Sequence, residues 1–186
     1  MTGPKLTLDP PQEDLALVTS KRLEDALLQS RRSPRRRIIA PFHRSLSDPV
    51  HRMLNAIQPG SYVRPHRHLY PPKSEAWIVL RGAVLFVTFL DDGTVSDHLV
   101  LAAESETFGV DLVPGRYHTL AALKPDTVIY EVKTGPYDEA TDKSFAPWAP
   151  AEGTEEAENY LRTLLEICGQ HGLETQGERS TGGKGR

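Results

Sequence analysis

The stretch RPHRHLYPPKSEAWIVLRG, Arg64 to Gly82, decides how this chain is read. It sets His66 and His68 on either side of a single residue, places Glu75 seven positions after His68, and closes on Gly82. In an extended strand, residues i and i+2 point to the same face. His66 and His68 therefore share a side, close enough to hold one ion. Burying unpartnered imidazoles is costly, whereas two neutral imidazoles and a carboxylate suit a divalent transition metal. Glu75 follows the Leu69-Tyr70-Pro71-Pro72 loop and opens the next apolar run. It is either a ligand or the last exposed residue of a polar loop that includes Lys73 and Ser74. A further histidine, His118, follows the Pro114-Gly115 turn at the start of another apolar run. If the sheet closes into a barrel, His66, His68, Glu75 and His118 converge inside it.

The runs around this stretch argue for such a sheet. WIVL and AVLFVTFL are β-branched and aromatic, separated by Arg81-Gly82, and Asp91-Asp92-Gly93 is a hairpin turn. HLVLAA, TFGVDLV, HTLAAL and TVIYEV follow, broken by Pro114-Gly115 and Lys124-Pro125-Asp126. Short strands at about ten-residue spacing indicate an all-β sandwich or barrel. Upstream, HRMLNAIQPGSYVRPH reads as two extended runs joined at Gln58-Pro59-Gly60, after a short turn at residues 48–51. Helices flank the strands. Ser20 to Arg32 has Ser20 as cap and Leu23, Ala26 and Leu27 on one face, and Ser33-Pro34 ends it. Thr154 caps a second helix whose Leu161, Leu164, Leu165 and Cys168 form a stripe.

The organisation is one domain of residues 15–168, with a loose lead-in at 1–14 and a polar, Gly-rich tail at 169–186 that is expected to be disordered. Residues 134–153 form a long loop carrying Tyr137, Phe145 and Trp148. It either anchors onto the sheet or closes over a cavity as a lid. A net charge of −3 gives no global attraction to nucleic acid or anionic membrane, and no apolar run is long enough to span a bilayer. The single cysteine, Cys168, excludes an intrachain disulfide framework, and the N-terminus has no secretory h-region, so the expected compartment is the cytoplasm.

Gly60, His66-x-His68, Glu75 and Gly82 together resemble the first cupin motif, and Pro114-Gly115-Arg116-Tyr117-His118 resembles the core of the second. Six residues separate His68 from Glu75, more than the usual three or four, and Val113 and Ala122 stand where the second motif usually has proline and asparagine. SPRRR (33–37), DPVHRMLNAIQPGSYVRPHRH (48–68) and EVKTGPYDEATDKSFAPWAPAEGT (131–154) look like the WbuC-type cupin fold metalloproteins, a likeness covering roughly residues 15–165. That resemblance implies a cupin jelly-roll, or double-stranded β-helix, barrel between the two helices, with one metal ion. It also implies a setting in O-antigen or other surface polysaccharide synthesis and, by analogy, a homodimer. Three histidines and a glutamate leave two positions open on an octahedral Fe, Mn, Ni or Co ion. Zinc would be saturated unless Glu75 stays off it. The functions so implied are Lewis-acid isomerase, epimerase or lyase chemistry on a small carbohydrate or anionic metabolite, an Fe(II)-dependent dioxygenase, or a non-catalytic metal-dependent sugar-binding or regulatory module. Arg64 and Tyr62, at i−2 and i−4 from His66, are the candidate substrate contacts. The arginines at 31–37 are either a solvated face or a phosphate clamp.

Overall fold

The computed structural model describes residues 6–178. Ten strands and two helices follow in the order α1 (Ser20–Arg32), β1 (Arg37–Pro41), β2 (Val50–Ile57), β3 (His66–Arg67), β4 (Glu75–Arg81), β5 (Ala83–Phe89), β6 (Val95–Ala102), β7 (Gly109–Leu112), β8 (Tyr117–Ala122), β9 (Thr127–Thr134), β10 (Ser144–Phe145) and α2 (Glu155–Glu178). They form two five-stranded sheets, β1-β2-β9-β4-β7 and β10-β3-β8-β5-β6. Every pairing between these strands is antiparallel. The two sheets pack as a cupin-like jelly-roll sandwich, with one helix outside each.

A helix covers part of the outer face of each sheet, which explains strands there that are apolar without interruption. In AVLFVTF (83–89) every residue is buried. Val84 and Phe86 turn between the sheets, where they meet Trp77, Val79, Leu120 and Ile129. Leu85, Val87 and Phe89 turn outward against Leu164 and Cys168 of α2. The other sheet repeats the scheme. Ala26 and Leu27 of α1 pack on Ile38, Ala40, Leu54, Ala56 and Val128. Fully burying a side chain such as Leu27 contributes about 1.5–3 kcal/mol. A glycine is required between β4 and β5, because Gly82 has φ +78° and a Cβ there would stand 2.3 Å from Thr127 Oγ1.

Several boundaries differ from expectation. The cap of α1 is Thr19 rather than Ser20; its hydroxyl accepts from Arg22 N–H at 3.3 Å. The lead-in is tied down at residues 6–8, where Leu8 N–H donates to Ile39 O at 2.8 Å and Thr7 bridges to β1. The strand β1 continues directly from the basic cluster, because Ile38 and Ala40 find α1 to pack on. Helix α2 runs past Cys168 to Glu178, through part of the segment expected to be disordered. Gly169 and Gly172 each weaken a helix by about 1 kcal/mol against alanine, but no proline stops it. Residues 179–186, the rest of that expectation, lie outside the described residues. Among the described residues no helix is long and apolar enough to cross a membrane.

Candidate metal centre

The space between the sheets changes character along its length. On β9 the inward positions pass from Ile129 to Glu131 to Lys133, which face Val79, Trp77 and Glu75 of β4 in register. Opposite them, His118 of β8 pairs with both Thr88 and His66. One end of the sandwich is thus filled with hydrocarbon and the other with ionisable groups.

His66, His68, Glu75 and His118 meet at that polar end, as their spacing predicts. They are 5%, 2%, 5% and 1% exposed, so none can be solvated from outside. The three histidines offer ring nitrogens that all lie within 4.8 Å of one another. Glu75 Oε1 stands 2.7 Å from His118 Nε2 and 3.5 Å from His68 Nε2. It is a buried strand residue, not the exposed end of a loop.

The backbone fixes which nitrogen each ring presents. His66 Nδ1 donates to Arg64 O and His118 Nδ1 to Arg116 O, both at 2.9 Å. His68 Nδ1 donates to the backbone carbonyl of Asp142. A carbonyl can only accept, so all three Nδ1 atoms carry a proton, and each Nε2 is the atom that offers a lone pair inward whenever its ring is neutral. His68 Nε2, His118 Nε2 and Glu75 Oε1 are buried without a hydrogen-bond partner. Buried polar atoms are seldom left so. A divalent cation would satisfy all three at once, and carbonyl-oriented imidazoles are the usual support of such an ion. The donor set therefore fits a transition metal.

Electrostatics agree. Burial, with the positive charge of Lys143 next in weight, holds His66 well below its ordinary pKa and keeps it neutral. Burial alone would raise the Glu75 pKa, but its contacts with His118 and His68 bring it well below the usual carboxylate range.

Behind His68 lies a buried charge cluster with no sequence motif. Lys73 Nζ donates to Asp142 Oδ1 at 2.6 Å and Lys133 Nζ to Asp142 Oδ2 at 2.9 Å. All three residues are buried. Asp142 thus orients His68 through its carbonyl while two lysines hold its side chain. Its segment is the long loop at 134–153, which does pack down. Phe145 lies edge-on to His66 with ring centroids 6.2 Å apart, and Trp148 packs on Phe89 at 5.0 Å.

Two further ionisable groups face the same space. Glu131 Oε2 accepts from Asn55 Nδ2 at 2.7 Å, and burial raises its pKa. Lys143, one residue before β10, is an exposed residue although protein crowds around it. Burial lowers its pKa, with the nearby charge of Lys133 adding to the effect. Neither is marked by spacing. Only the pairing of β9 with β4, and the docking of the loop, bring them beside the histidines.

The candidate substrate residues stand differently. Tyr62 does not face inward. It packs with Ala121, Ala157 and Leu161 beneath α2, and its hydroxyl donates to Pro150 O at 3.1 Å. Residues 61–65 are not strand, so the alternation that would have turned Tyr62 inward does not operate. Arg64 donates through Nη2 to Ala146 O at 3.1 Å and lies 5.1 Å from the centroid of the Phe145 ring, while its Nε is buried without a partner. It therefore borders the aromatic that covers His66. The arginine cluster is largely a solvated face, with Arg31, Arg32 and Arg36 exposed, and several of its members are tied to neighbours. Arg31 pairs with Asp126, Arg36 donates to Pro59 O at 3.3 Å, and Arg37 reaches Ser61 Oγ, Tyr62 O and Glu152. His43 and His51 stack on each other at 4.0 Å between ring centroids, and Cys168 is a buried core residue.

Residues 18–101 match a family model described as a domain of unknown function, DUF6016. No curated protein matches the chain. Among solved structures it is similar to the capsular polysaccharide assembling protein CapF of Staphylococcus aureus, at 18% identity and TM-score 0.45, over 53% of this chain and 27% of that one. It is also similar to KdgF from Halomonas sp., at 16% identity and TM-score 0.40, over 50% of this chain and 77% of that one. A variant oxalate decarboxylase of B. subtilis matches at 13% identity and TM-score 0.43, over 54% of this chain and 25% of that one. The chain thus spans about a quarter of the length of CapF.

Proposed function

We propose that the protein is a metal-dependent enzyme acting on a small carbohydrate or anionic metabolite by isomerase-, epimerase- or lyase-like chemistry. The observation that carries the reading is the convergence of three buried imidazoles, each with Nδ1 committed to a carbonyl, so that their ring nitrogens lie within 4.8 Å of one another beside the Glu75 carboxylate. His66, His68 and His118 hold one divalent transition metal, and Glu75 is the fourth ligand. Bound there, the ion supplies Lewis-acid polarisation of a substrate oxygen. The resemblance to WbuC-type cupin metalloproteins supports this ligand set and a setting in surface polysaccharide synthesis.

Catalysis is favoured over simple binding by Glu131. It is an inward carboxylate outside the ligand set, anchored by Asn55 through one oxygen, and burial raises its pKa. A carboxylate whose pKa is raised by burial holds a proton more readily than a free one, which is what isomerisation or elimination asks of an acid–base group. Trp77, the register partner of Glu131, walls the site and excludes water from it.

Elemental analysis of the purified protein, beside a His66→Ala/His118→Ala double variant, tests the site. The expected result is near one equivalent of a transition metal in the parent and its loss from the variant. Metal retained by the variant sinks the reading, as does a parent that takes up none of the candidate metals when each is offered.

A further inference from the structure

His43 and His51 hold no place in the metal centre, yet they lie on the same inner row of the sheet. His51 of β2 pairs in register with Lys133 of β9, and Lys133 with Glu75 of β4. The two rings are stacked, with planes 11° apart, and the residues are 8% and 2% exposed. His43 Nδ1 lies 3.2 Å from Arg52 N and 3.1 Å from Arg52 O, and His51 Nε2 donates to Leu46 O at 3.2 Å. Main chain closes over His51. A Cβ on Gly135 would stand 2.9 Å from His51 Cδ2 and 3.0 Å from its Nε2. The stack thus sits under the start of the 134–153 loop, at the point where that loop is tied down. There Gly135 N–H donates to Pro49 O at 2.9 Å and Tyr137 N–H to Leu46 O at 2.7 Å. The same loop carries Asp142, whose carbonyl orients His68. The charged groups around the stack give an imidazolium no free counter-ion. Lys133 and Lys73 are cations, Asp142 is already held by both, and Asp48 pairs with Arg52 at 3.6 Å. Burial, then the neighbouring His43, lower the pKa of His51, and the two lysines add to the effect against the bond to Leu46 O. Burial raises the pKa of Tyr137, which is therefore neutral beside them.

We propose that the His43–His51 stack is a pH-sensitive latch: neutral, it seats the 134–142 segment, and protonated, it lifts that segment and releases the carbonyl that aims His68. That the released ring belongs to a metal site rests on the reading given above. The sign follows from where the proton goes. Opened to solvent, each ring takes a proton near the ordinary imidazole pKa; closed, His51 takes one only at lower pH. The latch is therefore fully shut above the ordinary imidazole pKa and weakens as pH falls below it. Metal capture then fails in mild acid for a second reason, beyond protonation of the ligands themselves.

The test is hydrogen exchange at the Gly135 and Tyr137 amides of the metal-free full chain at pH 7.5 and 5.5, corrected for intrinsic exchange, in the parent and in His43→Asn/His51→Gln. The variant keeps an amide near the position of each bonded ring nitrogen and cannot titrate there. His66, His68 and His118 titrate in both proteins, so the difference isolates the stack. Over that interval one excluded proton changes an opening equilibrium about tenfold and two about a hundredfold. Protection of the two amides should therefore fall about ten- to a hundredfold more in the parent than in the variant. An excess below about threefold overturns the proposal. If the variant does not fold, ring titration of the parent by NMR decides. At least one of the two rings neutral at pH 5.5 in the closed chain upholds the latch, and both protonated with the loop amides still protected rejects it. Co(II) titration of the same two proteins reads the coupling to the site. Affinity should fall about tenfold more steeply in the parent between these pH values, and equal steepness rejects the coupling. A parent that takes up no metal refutes the metal reading separately, and the exchange result then decides the latch.

Discussion

Replacing Asp142 by asparagine keeps its shape, its main-chain carbonyl and much of its packing, and removes one negative charge from between two buried ammonium groups. The carboxylate is 2% exposed and lies 2.6 Å from Lys73 Nζ and 2.9 Å from Lys133 Nζ. Breaking a buried pair strands the partner charge, at a cost of about 3–5 kcal/mol. Lys73 keeps its hydrogen bond to Pro136 O and Lys133 keeps the charge of Glu131 nearby, so Asp142→Asn should lose about that much stability at pH 7 and not twice as much. In a chain of this size the loss corresponds to a fall in Tm of roughly 6–20 °C. The effect also has a pH signature. Burial would raise the Asp142 pKa, but the charges and hydrogen bonds of Lys133 and Lys73 hold it below the ordinary carboxylate value. A depressed folded-state pKa contributes stability that is fully present above the unfolded pKa and is lost as pH falls through the folded one. The gap between parent and variant should therefore be full at neutral pH and close at strongly acidic pH. Urea unfolding of both proteins across that range checks the slope and the size together. A difference under about 1 kcal/mol at pH 7, or one that does not narrow on acidification, refutes the account of Asp142 as a buried counter-ion.

Two other expectations follow from packing. Gly82→Ala should cost more than about 2 kcal/mol, since it adds a positive-φ penalty to a collision with Thr127 Oγ1 and Cα, and a shift in urea midpoint at constant m-value reads it. Leu27→Ala, at a fully buried contact of α1 with the sheet, should cost about 2–5 kcal/mol in the same assay while leaving metal content at the parental level.

What the residues disclosed in advance, and what they hid, divides along contact range. His66 and His68 were legible because two-residue spacing is a local property, and His118 because a Pro-Gly turn fixes where its strand begins. Helix α1 was legible within a residue, since caps and 3.6-residue periodicity are local as well. The strand β1 was obscured by the arginines before it, and its evidence lies in α1 and β2. Glu131 and Lys143 sit in no motif. One is an interior residue of a strand and the other precedes a strand of two residues, so only register and loop docking reveal their direction. Tyr62 failed for a matching reason. The argument that turned it inward assumed an unbroken strand up to His66, but Pro65 has no N–H to give a ladder, and Arg64 N–H donates to Glu152 Oε1 at 3.4 Å instead.

The carbonyls that orient the three imidazoles set an order of assembly. His66 and His118 each take theirs from two residues earlier in the chain, just ahead of their strands, so those rings are poised by local backbone alone. His68 takes its carbonyl from a residue 74 positions farther along the chain. As the polypeptide leaves the ribosome, all three rings emerge before the group that aims the last of them. A metal ion met at that stage finds a two-ring site with a loosely held third. Tight and selective capture waits until the loop has closed over the sandwich and drawn its aspartate between the two lysines.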